Sequence, residues 1–251
     1  MSRLYNNMLI FLKVCYKIVH KYIEEKRIDM SYLFDIHVHT KESSCCGEVP
    51  AAQVVERYKK LGYDGICVTD HMNLHNIRKH GSTYEEGARV FLSGYRAAKA
   101  AAGDSFKVLL GMEIRFLDYD NDYLVFGFDE DFIFTRNFAE FSELEEFRPF
   151  ALENHLTVFQ AHPFRNNIAV VSPSLLDGME VYNGHGGHDS RNDIAYRWAE
   201  KYGLRMSSAS DFHRETGMEP GGIYLDRMPG DSADLAKMLL NKEYKLKTFV
   251  K

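Results

Sequence analysis

Phe34-Asp35-Ile36-His37-Val38-His39-Thr40 is the stretch on which the reading of this chain turns. Side chains alternate across a strand, so a strand over Leu33–His39 points His37 and His39 to one face and Ile36 and Val38 to the other. Two imidazoles on one face make a two-point grip for a metal ion. A single strand histidine is more often a hydrogen-bonded core residue than a ligand, and a His-x-His pair shifts that balance only modestly, so further donors are required.

They recur at the ends of later strand-like runs. Beyond Leu33–His39, β-branched apolar runs fall at Gly65–Thr69, Val108–Ile114, Tyr123–Phe128, Thr157–Ala161, Gly178–Tyr182 and Arg205–Ala209. Helical patterns alternate with them, which predicts an α/β fold of β/α units around a parallel sheet or barrel, and seven strands suit a closed barrel better than a sandwich. Pro50 opens a helix whose apolar face is Val54, Val55, Tyr58 and Leu61, and Gly62 is placed to end it. Further helices are expected over Glu85–Ala102, Phe138–Asn154, Asp189–Tyr202 and Ser232–Leu240, with Glu140, Glu143, Glu145 and Glu146 forming a solvated face of the second.

Parallel β/α folds place their active sites at the C-terminal strand ends. There this chain carries Asp70-His71, Glu113 in Gly-Met-Glu-Ile, His162 in Ala-His-Pro-Phe, and Asp211-x-His213 after Ser-Ala-Ser. Taken singly, Asp70 and Asp211 read as helix caps, Glu113 as a buried ion pair and His162 as a packed core residue. Taken together, His37, His39, His71, His162, His213, Glu113 and Asp211 at one barrel mouth would repel one another or lie buried unpaired unless cations organised them. Mixed nitrogen and oxygen donors without a thiolate cluster suit Zn, Mn or Fe in an open catalytic site. Seven donors exceed the needs of one catalytic ion, so two or more ions are expected, with Glu113 as the natural bridging carboxylate.

Composition narrows the field. The 251 residues are 45% hydrophobic and 27% charged, which excludes disordered and collagenous chains. A formal net charge of −5 provides no broad cationic surface for duplex nucleic acid, so a bound phosphate must be met locally. Cys15, Cys45, Cys46 and Cys67 follow no disulfide framework, which reads as reduced thiols and a cytoplasmic location. The apolar run Met8–Leu12 is broken by Lys13 and is too short to span a membrane, and no cleavage signal follows it. Residues 1–30 instead read as an extension forming an amphipathic helix, with Leu9, Leu12, Tyr16, Val19 and Ile23 on one stripe; an alternative is that Met30 is the natural start. Residues 31–251 then form one domain.

The motifs His37-x-His39, Thr69-Asp70-His71, Gly111-Met112-Glu113, His162-Pro163 and Ser210-Asp211-x-His213, in this order from about residue 33 to 250, resemble the PHP (polymerase and histidinol phosphatase) domain. Pro220-Gly221-Gly222-Ile223-Tyr224-Leu225, followed by a helix, is similar to its stand-alone members. The resemblance implies a distorted (β/α)7 TIM-like barrel, here with an extra N-terminal helix, whose two or three divalent ions hydrolyse phosphoesters. It assigns His37, His39, Glu113 and Asp211 to one metal, His162 and the shared Glu113 to a second, and His71 and His213 to a third. Two positions depart from the fullest pattern. Where three-metal members carry a His or Asp after the His-x-His, this chain has Ser43-Ser44-Cys45-Cys46, so the third ion lacks a strong ligand unless a cysteine thiolate replaces it. Where a His can follow the fourth strand, this chain has Asp129, an oxygen donor or simply a loop acid.

The expected function is metal-dependent phosphoesterase action on a small phosphorylated metabolite, a nucleotide or an oligonucleotide end, by in-line attack of a metal-bound hydroxide. Asp211 is then a catalytic ligand, and His71 or His213 protonates the leaving oxygen if not engaged as a ligand. Arg165 is the first choice to clamp phosphate, and Asn183 and His185, which flank Gly184, are candidates to touch substrate. The alternatives are an amidohydrolase-type hydrolase, whose barrel also opens with His-x-His, and a metal-holding module without catalysis.

Overall fold

Strand β1 (Tyr32–Val38) lies at the middle of a five-stranded sheet of order β11-β10-β1-β2-β4, where β2 is Gly65–Val68, β4 Lys107–Leu110, β10 Gly222–Leu225 and β11 Tyr244–Lys247. A second sheet, of order β3-β5-β6-β7-β8-β9, comprises β3 (His71–Met72), β5 (Met112–Arg115), β6 (Asp122–Phe126), β7 (Thr157–Gln160), β8 (Gly178–Asn183) and β9 (Arg205–Ala209). The computed structural model describes residues 31–118, 120–216 and 219–248; the helix expected over residues 1–30 lies outside them. No helix among the described residues is long and apolar enough to cross a membrane.

The two sheets are continuous along the chain. Thr69-Asp70 carries β2 into β3 and Gly111 carries β4 into β5, with Gly111 N–H donating to the Val68 carbonyl (2.8 Å) and Glu113 N–H to that of Asp70 (3.1 Å). At the other edge Val38 forms a parallel bridge with Phe212, just past β9. The expected strands are present in a mixed α/β fold, with Val108–Ile114 divided at Gly111 into β4 and β5 of different sheets, but one orientation differs. β6 runs antiparallel to both β5 and β7, whereas a parallel array was expected. Only residues 116–121 separate β5 from β6, too few for the crossover that parallel neighbours need.

Six α-helices among the described residues cover the sheets. Helix α1 (Ala51–Lys60) buries Val54, Val55 and Tyr58 behind Pro50, and Gly62 follows it at φ 78°. Helix α2 (Leu74–His80), not expected from the sequence, is capped by the Asn73 side chain, which accepts from Asn76 N–H. Helix α3 (Tyr84–Ala102) opens with a reciprocal capping box between Thr83 and Glu86. The helix expected over Phe138–Asn154 is broken into a 3-10 turn at Phe138–Glu140 and α4 (Leu144–Glu153). The break arises because the carbonyls of Phe141 and Ser142 accept from Leu117 and Asp118 N–H (3.2 and 3.0 Å), so tertiary pairing takes backbone groups that a continuous helix would use. Helices α5 (Asn192–Tyr202) and α6 (Ser232–Asn241) complete the set. Apolar packing around Phe34, Ile36, Leu124, Phe126 and Phe159, all fully buried, holds the strand ends in place beneath the histidines.

Candidate metal centre

The donors gather at the ends of β1, β7 and β9 and at the starts of β3 and β5. His37 and His39 come from the end of β1, His71 opens β3, Glu113 lies in β5, and His162 and Asp211 directly follow β7 and β9. His162 and Asp211 both have left-handed backbones (φ 27° and 51°), a conformation that costs a non-glycine residue on the order of 1–3 kcal/mol and persists only where the surroundings impose it. That strain turns both side chains off the strand direction and into the cluster.

All seven candidate ligands meet. His37 Nε2 lies 3.1 Å from His39 Nε2 and 3.3 Å from both Glu113 Oε1 and Asp211 Oδ1. Glu113 divides its oxygens: Oε1 faces His37 and His162 Nε2 (3.1 Å), and Oε2 faces His39 Nε2 (3.2 Å) and His71 Nδ1 (2.9 Å). His213 Nδ1 is 3.2 Å from Asp211 Oδ1. Donor atoms of His37, His39 and Glu113, of His37, His162 and Asp211, and of His39, His71 and His213 each lie within 4.8 Å of one another.

Residues around this cluster fix its orientation. The Glu180 carboxylate, 1% exposed, accepts from His37 Nδ1 (3.0 Å), from His162 N–H (2.9 Å) and from Asn183 Nδ2 (2.8 Å). His39 Nδ1 pairs with Ser44 Oγ (3.1 Å), whose hydroxyl donates to Asp70 Oδ1 (2.7 Å), and Thr40 holds both oxygens of Asp70. Asp70 is therefore a buried brace, not a helix cap. With both Nδ1 atoms committed, His37 and His39 direct their Nε2 atoms at the shared space, the arrangement by which outer hydrogen bonds orient metal-binding imidazoles. Sequence reasoning missed Glu180; a carboxylate inside the apolar run Gly178–Tyr182 was the available signal.

Substrate candidates are distributed unevenly. A cavity of about 560 Å³ opens over the cluster, lined among others by Arg115, Arg165, His185, His188 and Arg214. Arg165 Nη2 lies 3.0 Å from Asp122 Oδ2, and Arg115 grips the same carboxylate through two bonds of 2.7 Å. His185 reaches the mouth, stacked on His188 at 4.5 Å between centroids. Asn183, expected to face substrate, sits beneath the site: its Nδ2 donates to Glu180 and Asp211, and its Oδ1 accepts from Ser190 and from His185 N–H. Asp129 caps Phe132 N–H and lines a different cavity, away from the ligands. The residues the sequence did not flag here are Arg115, Asp122 and His188.

The electrostatics are those of a cation site. Burial pushes Glu113 and Asp211 up, yet the neighbouring imidazoles, His71 and His37 for the first and His37 and His213 for the second, outweigh it and hold both well below the carboxylate range. Burial likewise pushes His37 down, and Asp211, Glu180 and Glu113 outweigh it and raise it. Glu113 Oε2 and Asp211 Oδ1 are buried without a hydrogen-bond partner among the described residues. An orphaned carboxylate oxygen costs roughly 1–3 kcal/mol or more, and a divalent ion removes that cost. Nitrogen and oxygen donors at these separations therefore fit divalent metal ions.

The PHP domain model matches residues 35–244, and the chain belongs to this family. No curated protein matches it by sequence. Among solved structures, a two-domain protein from Bacteroides vulgatus containing a predicted PHP-like metal-dependent phosphoesterase is similar at TM-score 0.59 and 17% identity over 86% of this chain. The chain spans 64% of the length of that protein. PsfC from Pseudomonas syringae is similar at TM-score 0.64 and 15% identity, over 88% of this chain and 92% of the other. At such identities the likeness is one of fold. The family match and the cluster of His, Asp and Glu side chains that could hold metal coincide in the same part of the chain.

Proposed function

We propose that residues 31–251 form a single (β/α)7 barrel-like domain that hydrolyses a phosphate ester of a small metabolite, nucleotide or oligonucleotide end. The observation that carries this reading is Glu113, whose two buried oxygens each face two imidazoles, the placement of a carboxylate shared between ions. His37, His39, Glu113 and Asp211 would hold one ion and His162 with Glu113 a second, with zinc, manganese and iron as the candidates. Such ions supply Lewis acidity and a water acidic enough to ionise near neutral pH.

The rest is the work of the chain. Arg115 and Arg165 both pair with Asp122, Arg115 also lies 3.9 Å from Asp120, and both line the mouth, where a guanidinium charge can receive a phosphate. Arg165 supplies that charge, being the member of the pair three residues past His162. His185 and His188 also line the mouth and contact the ester's leaving group. His71 or His213 hands the leaving oxygen its proton wherever it is not committed as a ligand. Asn183 acts as a positioning residue through Asp211 and Glu180.

The test is the metal content of the purified protein together with a panel of nitrophenyl phosphate, bis-nitrophenyl phosphate and amide substrates in the presence of zinc or manganese. Metal-dependent release of nitrophenol that is lost in Glu113→Gln supports the reading. Turnover of amides alone would move the chain to the amidohydrolase alternative, and bound metal without turnover of any ester would make it a binding module.

A further inference from the structure

We propose that Cys46 is a thiolate ligand which, with His71 and His213, completes a third metal position selective for zinc-like ions. This rests on the metal-centre reading above. The Cys46 Sγ lies 3.1 Å from His71 Nε2 and 3.0 Å from His213 Nε2. Both rings pack close to that of His39, with centroids 4.6 and 4.2 Å away, and donor atoms of the three histidines fall within 4.8 Å of one another.

The sulfur is placed by the backbone and not by chance of a loose loop. Glu48 N–H donates to the His213 carbonyl (2.9 Å), and His71 N–H donates to Ser44 Oγ (3.1 Å), so the 44–48 turn is tied to the main chain of both histidines. Cys45 N–H is held by Asn76 Oδ1 (3.2 Å), and the turn itself closes through Gly47 N–H to the Ser44 carbonyl (3.1 Å). Between these anchors the exposed Cys46 extends its sulfur to the two imidazoles.

A cation between these donor atoms would take the place of the hydrogen bonds from Cys46 to His71 and His213. His213 Nδ1 pairs with the Asp211 carbonyl at 3.0 Å, and a carbonyl only accepts, so the neutral ring carries its proton on Nδ1 and presents a lone pair from Nε2 to the sulfur. Next to this set Glu113 Oε2 is buried with no hydrogen-bond partner among the described residues and points at His39 and His71. Lone pairs on nitrogen, sulfur and oxygen facing a common space are what a bound cation reconciles. A thiolate in the set shifts preference from manganese or magnesium toward zinc, cobalt and iron, and three protein ligands leave a position open for water or substrate. The Cys-Cys stretch, where an oxygen or imidazole ligand is expected from the family resemblance, then supplies a softer ligand in its place.

Cobalt(II) titration of the full chain, followed by absorption, tests this directly. The expected result is a near-ultraviolet thiolate-to-cobalt charge-transfer band in the wild type and in Cys45→Ser, lost in Cys46→Ser together with one bound cobalt per chain. The visible d–d absorption of cobalt held elsewhere persists in that variant. Visible absorption without the charge-transfer band in the wild type would overturn the thiolate ligand while leaving the hydrolase reading intact, as would a band that survives in Cys46→Ser. No cobalt absorption of either kind would overturn both. Should Cys46→Ser fail to fold, the wild-type spectrum still decides, with Cys45→Ser excluding the neighbouring thiol.

Discussion

Replacing Glu180 with glutamine changes no volume and touches no proposed ligand atom, yet it should loosen the metal centre. In the native chain Oε1 accepts from His37 Nδ1 at 3.0 Å, while Oε2 accepts from His162 N–H at 2.9 Å and from Asn183 Nδ2 at 2.8 Å. Glutamine keeps only one acceptor oxygen. If that oxygen serves His162 and Asn183, the amide NH2 faces His37 Nδ1, and the imidazole must move its proton to Nε2 to accept. Nε2 is the atom 3.3 Å from both Glu113 and Asp211, so the tautomer that satisfies the glutamine cannot present a lone pair to an ion there. If the oxygen serves His37 instead, the His162 N–H and Asn183 lose their acceptor, at roughly 1–3 kcal/mol for the buried groups left unsatisfied. Either way the expected loss of metal affinity is about 10–100-fold, equivalent to about 1.4–2.8 kcal/mol. Competition with a chromogenic chelator measures the affinity, and circular dichroism verifies the fold. A wild-type affinity in a folded Glu180→Gln protein would refute the claim that this carboxylate sets the His37 tautomer.

Three other outcomes are expected. Chelation of metal should lower thermal stability, since occupancy at a hundredfold excess over the dissociation constant contributes about 2.7 kcal/mol, or a shift of about 5–10 °C for a chain of this size; a melting curve unmoved by chelator would argue against a built-in metal site. Gly94→Ala places a methyl group of α3 against Thr40 Oγ1 and Asp70 Oδ2, so it should destabilise the fold by about 1–3 kcal/mol in urea denaturation and weaken metal binding through the Asp70–Ser44–His39 chain; an unchanged stability would show that α3 shifts freely. Asp35 is raised from 3.8 to about 6 because burial outweighs its bonds from Ser210 and Tyr58. A carboxyl raised on folding contributes stability below its unfolded pKa and loses it as pH rises through the folded value, so the stability of wild type relative to Asp35→Asn should decline between pH 3.8 and about 6. A difference constant with pH would mean that Asp35 ionises in the fold as freely as in the unfolded chain.

The donors could be read from the sequence because metal chemistry leaves few choices of residue type and strand geometry has a period of two. His37 and His39 had to share a face once Leu33–His39 was a strand, and they do, with their Nε2 atoms 3.1 Å apart. The motif order that resembles the PHP domain named seven residues, and all seven converge. Glu180 and Asp122 were illegible for the opposite reason: a carboxylate that steadies a ligand or pairs with arginine has no required spacing, and its meaning depends on what another strand brings to it. The same holds for Asn183, whose place next to the flexible-looking Gly184–His188 loop suggested substrate, although its amide is spent on Glu180 and Asp211.

By itself, then, the sequence determined the α/β alternation, most helix positions, and which histidines and carboxylates gather at one place, all of which follow from local periodicity, capping and donor chemistry. Only the tertiary structure decided the reversed direction of β6, the interruption before α4, and the partition of the Glu113 oxygens between two pairs of imidazoles. It also decided that a thiol from the 44–48 turn meets His71 and His213, the latter 167 positions away along the chain. These depend on which backbone and side-chain groups compete for the same partners across the fold, and that competition exists only once distant segments have been brought together.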